Sequence, residues 1–560
     1  MSGTDVTAGR TSALPHLQDV YRACFFAEDG DMAGRRAAQE RLNNSTAIYH
    51  GEVIGLGFLP KLYDMPTLAY LDSLAQTTYG ILEKVTQRFC EDSAYRSLFG
   101  FSPLLERLIS LPAGYETTIP IMRVDIFLDE ESLDFKFCEF NTDGTSAMNE
   151  DREGANALMC STTFAHAAQE LALAPQELFE GWVDAFLALW ESSEQAAGHP
   201  KGEPVTIAIV DYTESATSYE FEEFRARFER RGYPCLICDV RGLTWQNGAL
   251  YGSDVNPAHP ASGTPTRIDA VYRRAVTGEL LAELEADATF GAHGGAFDDA
   301  SGAAAAAPAE STAPEGGTST LVSTPIFASA FARGAHALVA AVEARRVCMI
   351  GGFRTHVAHC KQLFTVLHLP ETASFLTEEE AAFIRHHVPY TTRLDNQHID
   401  LDAVKADKNR WIIKPDDGYG SQGVFAGIDQ GQGEWEEIID RCSAERYIVQ
   451  RFCEQYATPN TRLLPANERG ADKHGDGQAA DTRGQASANP SFDPTTLEPF
   501  NVLTGLYLYD GRFSGVFVRA GQQGIIAGFA GGITVPSFLA GYRPEAGLAL
   551  RCAPLPPSLR

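Results

Sequence analysis

Lys136-Phe137-Cys138-Glu139-Phe140-Asn141 decides the fold, because a short apolar strand at this point turns Glu139 and Asn141 to one face. A carboxylate and an amide oxygen so placed can share hard Mg²⁺ ions that carry phosphates. Upstream, Arg123 and Asp125 repeat the same two-residue spacing within Met122-Arg123-Val124-Asp125. Pairing of a strand over 123–128 with one over 135–140 would let Asp125, Glu139 and Asn141 converge on metal with Arg123 beside them. An exposed ion pair is the plain alternative for Arg123 and Asp125. Three hard oxygen ligands beside a guanidinium favour phosphoryl transfer, with the metal neutralising the β- and γ-phosphates and Arg123 the equatorial charge in transit.

A phosphate cradle stands far downstream, in Lys414-Pro415-Asp416-Asp417-Gly418-Tyr419-Gly420-Ser421-Gln422-Gly423. Gly418, Gly420 and Gly423 allow main-chain amides to come close to phosphate oxygens, Ser421 lies among them, and Lys414 ends a strand with its ammonium toward them. No Gly-Lys-Ser/Thr follows, so this is not a P-loop, and a hairpin turn competes with a nucleotide cover. Tyr447-Ile448-Val449-Gln450-Arg451-Phe452 reads as a buried strand whose backbone could meet an adenine edge. Lys361, in a helical run over 359–367, supplies a second cation or simply lies along a helix face. One ATP site would then be built from two distant parts of the chain, metal ligands first.

Composition sets the frame. With 560 residues, 44% of them hydrophobic, the chain can bury more than one core, and about two or three domains are expected. A net charge of −29 with no basic stripe argues against nucleic acid, while leaving a cationic substrate such as a polyamine open. Eleven cysteines, an odd number scattered among apolar neighbours, read as reduced thiols of a cytoplasmic protein, and Cys235 and Cys238 as buried structural residues. Residues 1–16 lack a charged-then-apolar leader pattern and no apolar run reaches membrane length, so a soluble protein without a membrane partner is expected.

Three blocks emerge. Residues 1–200 carry helical patterns over 67–89 and 176–190 around the strand pair. Residues 201–345 read as strand, helix, strand, strand over 205–211, 219–230, 234–240 and 268–273, a parallel α/β unit. Residues 346–560 return to antiparallel α+β architecture: strands over 411–414, 423–426 and 447–450, a helix over 433–441, and a hairpin turning at Asp510-Gly511. Segments near 291–320 and 466–489, rich in Gly and Ala with few large apolar residues, read as disordered insertions.

These residues together resemble a known family. Met122 to Asp125, Cys138 to Ser146 with Glu150 following, Ile268 to Arg274, Lys361, Phe383 to Thr391, the glycine loop, Tyr447 to Arg451 and Gly511 to Arg519 are similar to the circularly permuted ATP-grasp enzymes, in particular the synthetase domain of glutathionylspermidine synthase. The matches run in order from about residue 120 to 540. The resemblance implies an α+β circularly permuted ATP-grasp fold with an inserted α/β pre-ATP-grasp domain. It implies metal ligation by Asp125, Glu139 and Asn141, transition-state stabilisation by Arg123, and a second phosphate-facing arginine in Arg519. It also implies ATP contacts from Arg123, Asp125, Lys361, Lys414, Gly418, Gly420, Ser421, Gly423, Val449 and Gln450, with ATP and Mg²⁺ as cofactors.

The activity it implies is an ATP-dependent, ADP-forming carboxylate-amine ligase that joins small-molecule substrates, peptide-like ones included, through an acyl phosphate. Two alternatives stand beside it: a catalytically silent nucleotide-binding regulatory protein, and an ATP-grasp phosphotransferase. Gly528-Phe529-Ala530-Gly531-Gly532 stands where the synthetase has an acidic polyamine contact, and Gln422 where many permuted relatives have Lys. The patterning upstream of Arg123 does not suit a thiol-amidase domain, so none is expected there, and the sequence is silent on oligomeric state.

Overall fold

Alternation through residues 121–141 does produce two paired strands, and they form one end of the largest sheet, with Phe135–Asn141 at its edge. In the computed structural model, which describes residues 12–49, 51–214, 217–292, 331–418, 420–464, 493–528 and 531–541, Ile121–Leu128 pairs antiparallel with Phe135–Asn141. On its other side Ile121–Leu128 pairs with Glu498–Tyr509, which continues to Arg512–Gly521 and Ile533–Thr534, while Ala457–Asn460 pairs with the start of Glu498–Tyr509. Asp510 and Gly511, at φ 48° and 69°, make the tight turn of the long hairpin as their sequence predicts.

The faces of this sheet differ as a period of two requires. Met122, Val124, Ile126, Leu506, Leu508, Val516 and Val518 are fully buried on one face, packed in a single cluster with Leu71, Ala75, Leu82, Val85 and Phe89. These last residues line the helix Met65–Glu91, which starts cleanly because Asp64 accepts from the Thr67 amide and Pro66 sits in the first turn. The opposite face is covered at the hairpin end by Trp182 and Phe186 of the helix Phe179–Glu191, against Tyr507, Tyr509 and Phe517. Its remaining area carries charged side chains.

A second sheet is wholly parallel, in the order Cys348–Ile350, Ala270–Arg273, Ile207–Asp211, Cys235–Asp239, with the helix Ser218–Arg230 crossing between the last two. Cys235 and Cys238 are buried free thiols in it. The single strand expected over 268–273 is two: Thr266–Ile268 joins an antiparallel sheet with Ala249–Gly252, Thr244–Gln246 and Phe331–Arg333, and only Ala270–Arg273 enters the parallel one. Asp269 makes the break, its carboxylate accepting from the Thr206 amide at 3.0 Å and pairing with Arg267 at 3.1 Å.

A further antiparallel sheet runs Thr391–Arg393, Tyr447–Arg451, Trp411–Pro415, Phe425–Ala426. The helix Gln432–Cys442 covers it through Trp435, Ile438 and Ile439, packed on Trp411, Ile413 and Val449. The protein is thus α+β. Of the two expected insertions, residues 291–292 end the helix Thr277–Ala292; residues 293–320 and all of 466–489 lie outside the described residues. Among the described residues no helix is long and apolar enough to cross a membrane.

Candidate functional site

Strand register brings the charged side chains of the large sheet together. Arg123 stands opposite Asn141 and Asp125 opposite Glu139, with a bulge after Asp125 that shifts the register beyond. Asp125 receives a two-point fork from Arg123, Nε to Oδ1 at 2.6 Å and Nη2 to Oδ2 at 2.9 Å. Asn141 Nδ2 donates to Asp125 Oδ2 at 3.2 Å and reaches Glu139 Oε1 at 3.4 Å, while Arg519 Nη2 donates to Asp125 Oδ2 at 3.2 Å from two strands away. Both oxygens of Asp125 are therefore engaged by guanidinium groups. Among the described residues Glu139 has no carboxylate-to-cation contact of that kind, which makes it the freer donor of the pair.

The downstream cations come to the same place. Lys414 Nζ donates to the Cys138 carbonyl at 3.0 Å, across 276 residues of sequence, and to Gln450 Oε1 at 2.9 Å. Gln450 in turn donates to Thr391 Oγ1 at 2.9 Å, so its side chain fixes the lysine. Lys361 Nζ donates to the Gly418 carbonyl at 2.6 Å, and its amide to the Asp416 carbonyl at 2.7 Å. The continuous helix expected over 359–367 is broken at this point: His356–His359 ends, Cys360 is extended, and Leu363–Leu367 begins afresh. Binding of the Lys361 amide to the glycine loop takes it out of a helical ladder.

Gly418, Gly420, Ser421 and Gly423 all have positive φ, at 141°, 62°, 58° and 69°. At Gly423 a side chain is excluded twice, by φ and by the Tyr447 hydroxyl 2.7 Å from where a Cβ would stand. Val449 is fully buried in the core of the small sheet, and Tyr447–Arg451 is an inner strand flanked by Thr391–Arg393 and Trp411–Pro415. Its main-chain groups are taken by those two ladders. Val449 thus supports the wall of the site, and Gln450 enters it through its side chain.

The electrostatics follow from this convergence. Burial alone would raise Glu139, but Lys361, Arg519, Lys414 and Arg123 together pull it down to about 2. Burial opposes the charge on Arg123 as well, and Asp125 more than offsets it, holding the guanidinium above its ordinary range. Burial pushes the Cys138 thiol up to about 12, so no thiolate competes at neutral pH. At the edge of the cluster, burial and then Glu220 raise Glu150 to about 7, and burial and then Glu150 raise Asp151 to about 8.

Several contributors were not foreseen. Gly505 lies opposite Asp125, where a Cβ would stand 2.7 Å from Arg123 Cδ and 2.8 Å from Asp125 Oδ1. Phe517 presents its ring to both guanidinium groups, 5.4 Å from Arg123 and 6.0 Å from Arg519. The Ser146 carbonyl accepts from Arg123 Nη1 at 2.8 Å and from the Tyr507 hydroxyl. Glu220 accepts the amides of Ala147, Met148 and Asn149 at 3.1, 2.9 and 3.2 Å, at the start of the helix Met148–Leu158, and pairs with Arg274 at 2.8 Å. An isolated glycine inside a strand pattern was the one readable signal, at Gly505.

No family model matches the chain, and no curated protein matches it. Among solved structures, it is similar to a glutathione synthetase-like effector (GSS30) from Globodera pallida in its apo form, at 11% identity and a TM-score of 0.46 over 91% of this chain and 96% of that one. A likeness at that level carries no inference about activity, which rests on the geometry above.

Proposed function

We propose that the protein is an ATP-dependent carboxylate-amine ligase of circularly permuted ATP-grasp type, acting on small-molecule substrates in the reducing cytoplasm. The observation that carries this proposal is the hydrogen bond from Lys414 Nζ to the Cys138 carbonyl, which sets a downstream ammonium beside the upstream Glu139. On this reading residues 1–200 supply the metal half, 201–345 an inserted α/β unit, and 346–560 the lysine and glycine-loop half. The strand Cys348–Ile350 returns to the α/β sheet.

The donor set fits a hard divalent cation: Glu139, Asn141 and Asp125 offer carboxylate and amide oxygens within one hydrogen-bonded group, and Glu139 is ionised at every working pH. Mg²⁺ bound to these residues would neutralise and orient phosphate oxygens. Lys361 and Lys414 would bind the triphosphate, Lys361 by exchanging the Gly418 carbonyl for a phosphate oxygen. Arg123, oriented by Asp125 and the Ser146 carbonyl, would stabilise charge on the phosphoryl group in flight, and Arg519 would give up Asp125 to assist. The amides of Gly418, Gly420, Ser421 and Gly423 would cover the phosphates and exclude water. A substrate carboxylate oxygen attacks the γ-phosphorus and ADP leaves; an amine nitrogen then adds to the acyl carbon and phosphate departs.

Incubation with ATP, Mg²⁺ and a panel of carboxylates, with and without amines, tests this. Phosphate release that requires both co-substrates is expected. A phosphorylated product formed without amine would replace the ligase with a phosphotransferase, and ATP binding without turnover on any pair would replace it with a silent nucleotide-binding protein.

A further inference from the structure

On a different part of the surface, Asp134, His386 and His387 bring one carboxylate oxygen and two imidazole nitrogens within 4.8 Å of one another. Asp134 closes the turn before Phe135–Asn141, and the two histidines end the helix Glu378–His387. Asp134 Oδ1 lies 3.0 Å from His386 Nε2 and 3.7 Å from His387 Nδ1. Ligands sharing one zinc-sized ion at about 2.0–2.2 Å stand roughly 3–3.6 Å apart, so a small closure suffices. His387 is already oriented by packing: its ring lies flat on Phe135, centroids 3.8 Å apart at 5°. The side chains of His386 and Asp134 are 57% and 42% exposed, which gives an ion its entry path.

Two imidazoles with one carboxylate form a borderline donor set, unlike the all-oxygen set at Glu139. We propose that Asp134, His386 and His387 form a surface site for a divalent transition ion of the zinc type, clamping the turn before Phe135–Asn141 to the end of the helix Glu378–His387. Three protein ligands leave the remaining coordination to water. Roughly 16 Å of extended chain separates Asp134 from Glu139, so the two sites hold different ions independently.

The site forms at the expense of two hydrogen bonds, the first between His386 Nε2 and Asp134 Oδ1 at 3.0 Å, which the ion replaces once the imidazole proton sits on Nδ1. His387 Nδ1 is 2.9 Å from the Phe135 carbonyl, and to ligate it must move its proton to Nε2 and release that oxygen. The Phe135 amide donates to Asp134 Oδ1 at 2.9 Å, and the same oxygen, the one nearest both imidazoles, keeps a second lone pair for the ion. Lys136, the second residue of the strand, donates from its ammonium to the His386 carbonyl and is a cation that the ion must tolerate.

The test uses tag-free full-length protein, stripped with a chelator, in a Glu139→Gln background that weakens the oxygen site. Titration with Co²⁺ should develop visible d–d absorption at one ion per chain, displaced by Zn²⁺. His386→Ala and Asp134→Asn should each weaken Co²⁺ binding by about 100-fold or more. Because the His386 ring is largely exposed, its loss should leave the metal-free melting temperature unchanged, and Zn²⁺ should raise that temperature only while His386 is present. Absence of the visible band, or equal Co²⁺ affinity with and without His386 and Asp134, overturns the proposal.

Discussion

Replacing Glu139 with Gln removes the one carboxylate held down by Lys361, Arg519, Lys414 and Arg123. A carboxyl moved from 4.5 to about 2 has its ionised form favoured by about 3 kcal/mol in the folded chain. Because the folded value is depressed, that stabilisation is complete above pH 4.5 and is lost as pH falls toward 2. The amide forfeits it at all pH values, so Glu139→Gln should melt below wild type at neutral pH, and the gap should narrow on the acid limb. Tripolyphosphate should restore the variant more than it stabilises wild type, since it neutralises the same four cations. For catalysis, an uncharged ligand forfeits several kcal/mol of metal-assisted charge stabilisation, a fall in Mg²⁺-dependent phosphate release of about 10²–10³. Thermal melts across pH and Mg²⁺ titrations of phosphate release measure both effects. Wild-type turnover with wild-type Mg²⁺ dependence would refute the assignment of Glu139.

Further substitutions probe the supports of the site. Gly505→Ala should force Arg123 and Asp125 apart, with a stability loss of about 1–3 kcal/mol by denaturant melt and a larger proportional loss of phosphate release. Gln450→Leu should free the Lys414 ammonium and raise the apparent KM for ATP about tenfold or more, and should cost about 1–3 kcal/mol in a denaturant melt because buried Lys414 and Thr391 each lose a partner. Glu150→Gln should flatten the pH dependence of stability. Wild-type Glu150, raised from 4.5 to about 7, contributes stability that is full below pH 4.5 and is lost between 4.5 and 7, about 3 kcal/mol by urea unfolding at a series of pH values. A wild-type slope in that variant would place the titration elsewhere.

The parts of the fold legible in sequence are those in which local pattern and tertiary demand agree. Alternation over 121–141, the Asp510-Gly511 turn and the long amphipathic helix Met65–Glu91 each satisfy their own backbone, so they read correctly in isolation. Failures occur where a distant partner rewrites local structure. Lys361 leaves its expected helix because the Asp416 carbonyl takes its amide, and the strand expected over 268–273 divides because Asp269 binds the Thr206 amide. Convergence of Arg123, Asp125, Glu139 and Asn141 was readable from period-two spacing, and the structure brings all four together. The hold of Gln450 on Lys414 was not, because it depends on which strands flank Tyr447–Arg451.

Glu220 has a consequence for how the proposed ligase would receive its acid. A helix start with three converging amides ordinarily welcomes an incoming anion, but Glu220 fills that berth from within and is itself anchored by Arg274. An acidic guest arriving near Met148 would meet like charge instead of a welcoming dipole, and would have to find its counter-charge among the guanidinium groups of Arg123 and Arg519. The molecule has closed one doorway to carboxylates with a carboxylate of its own.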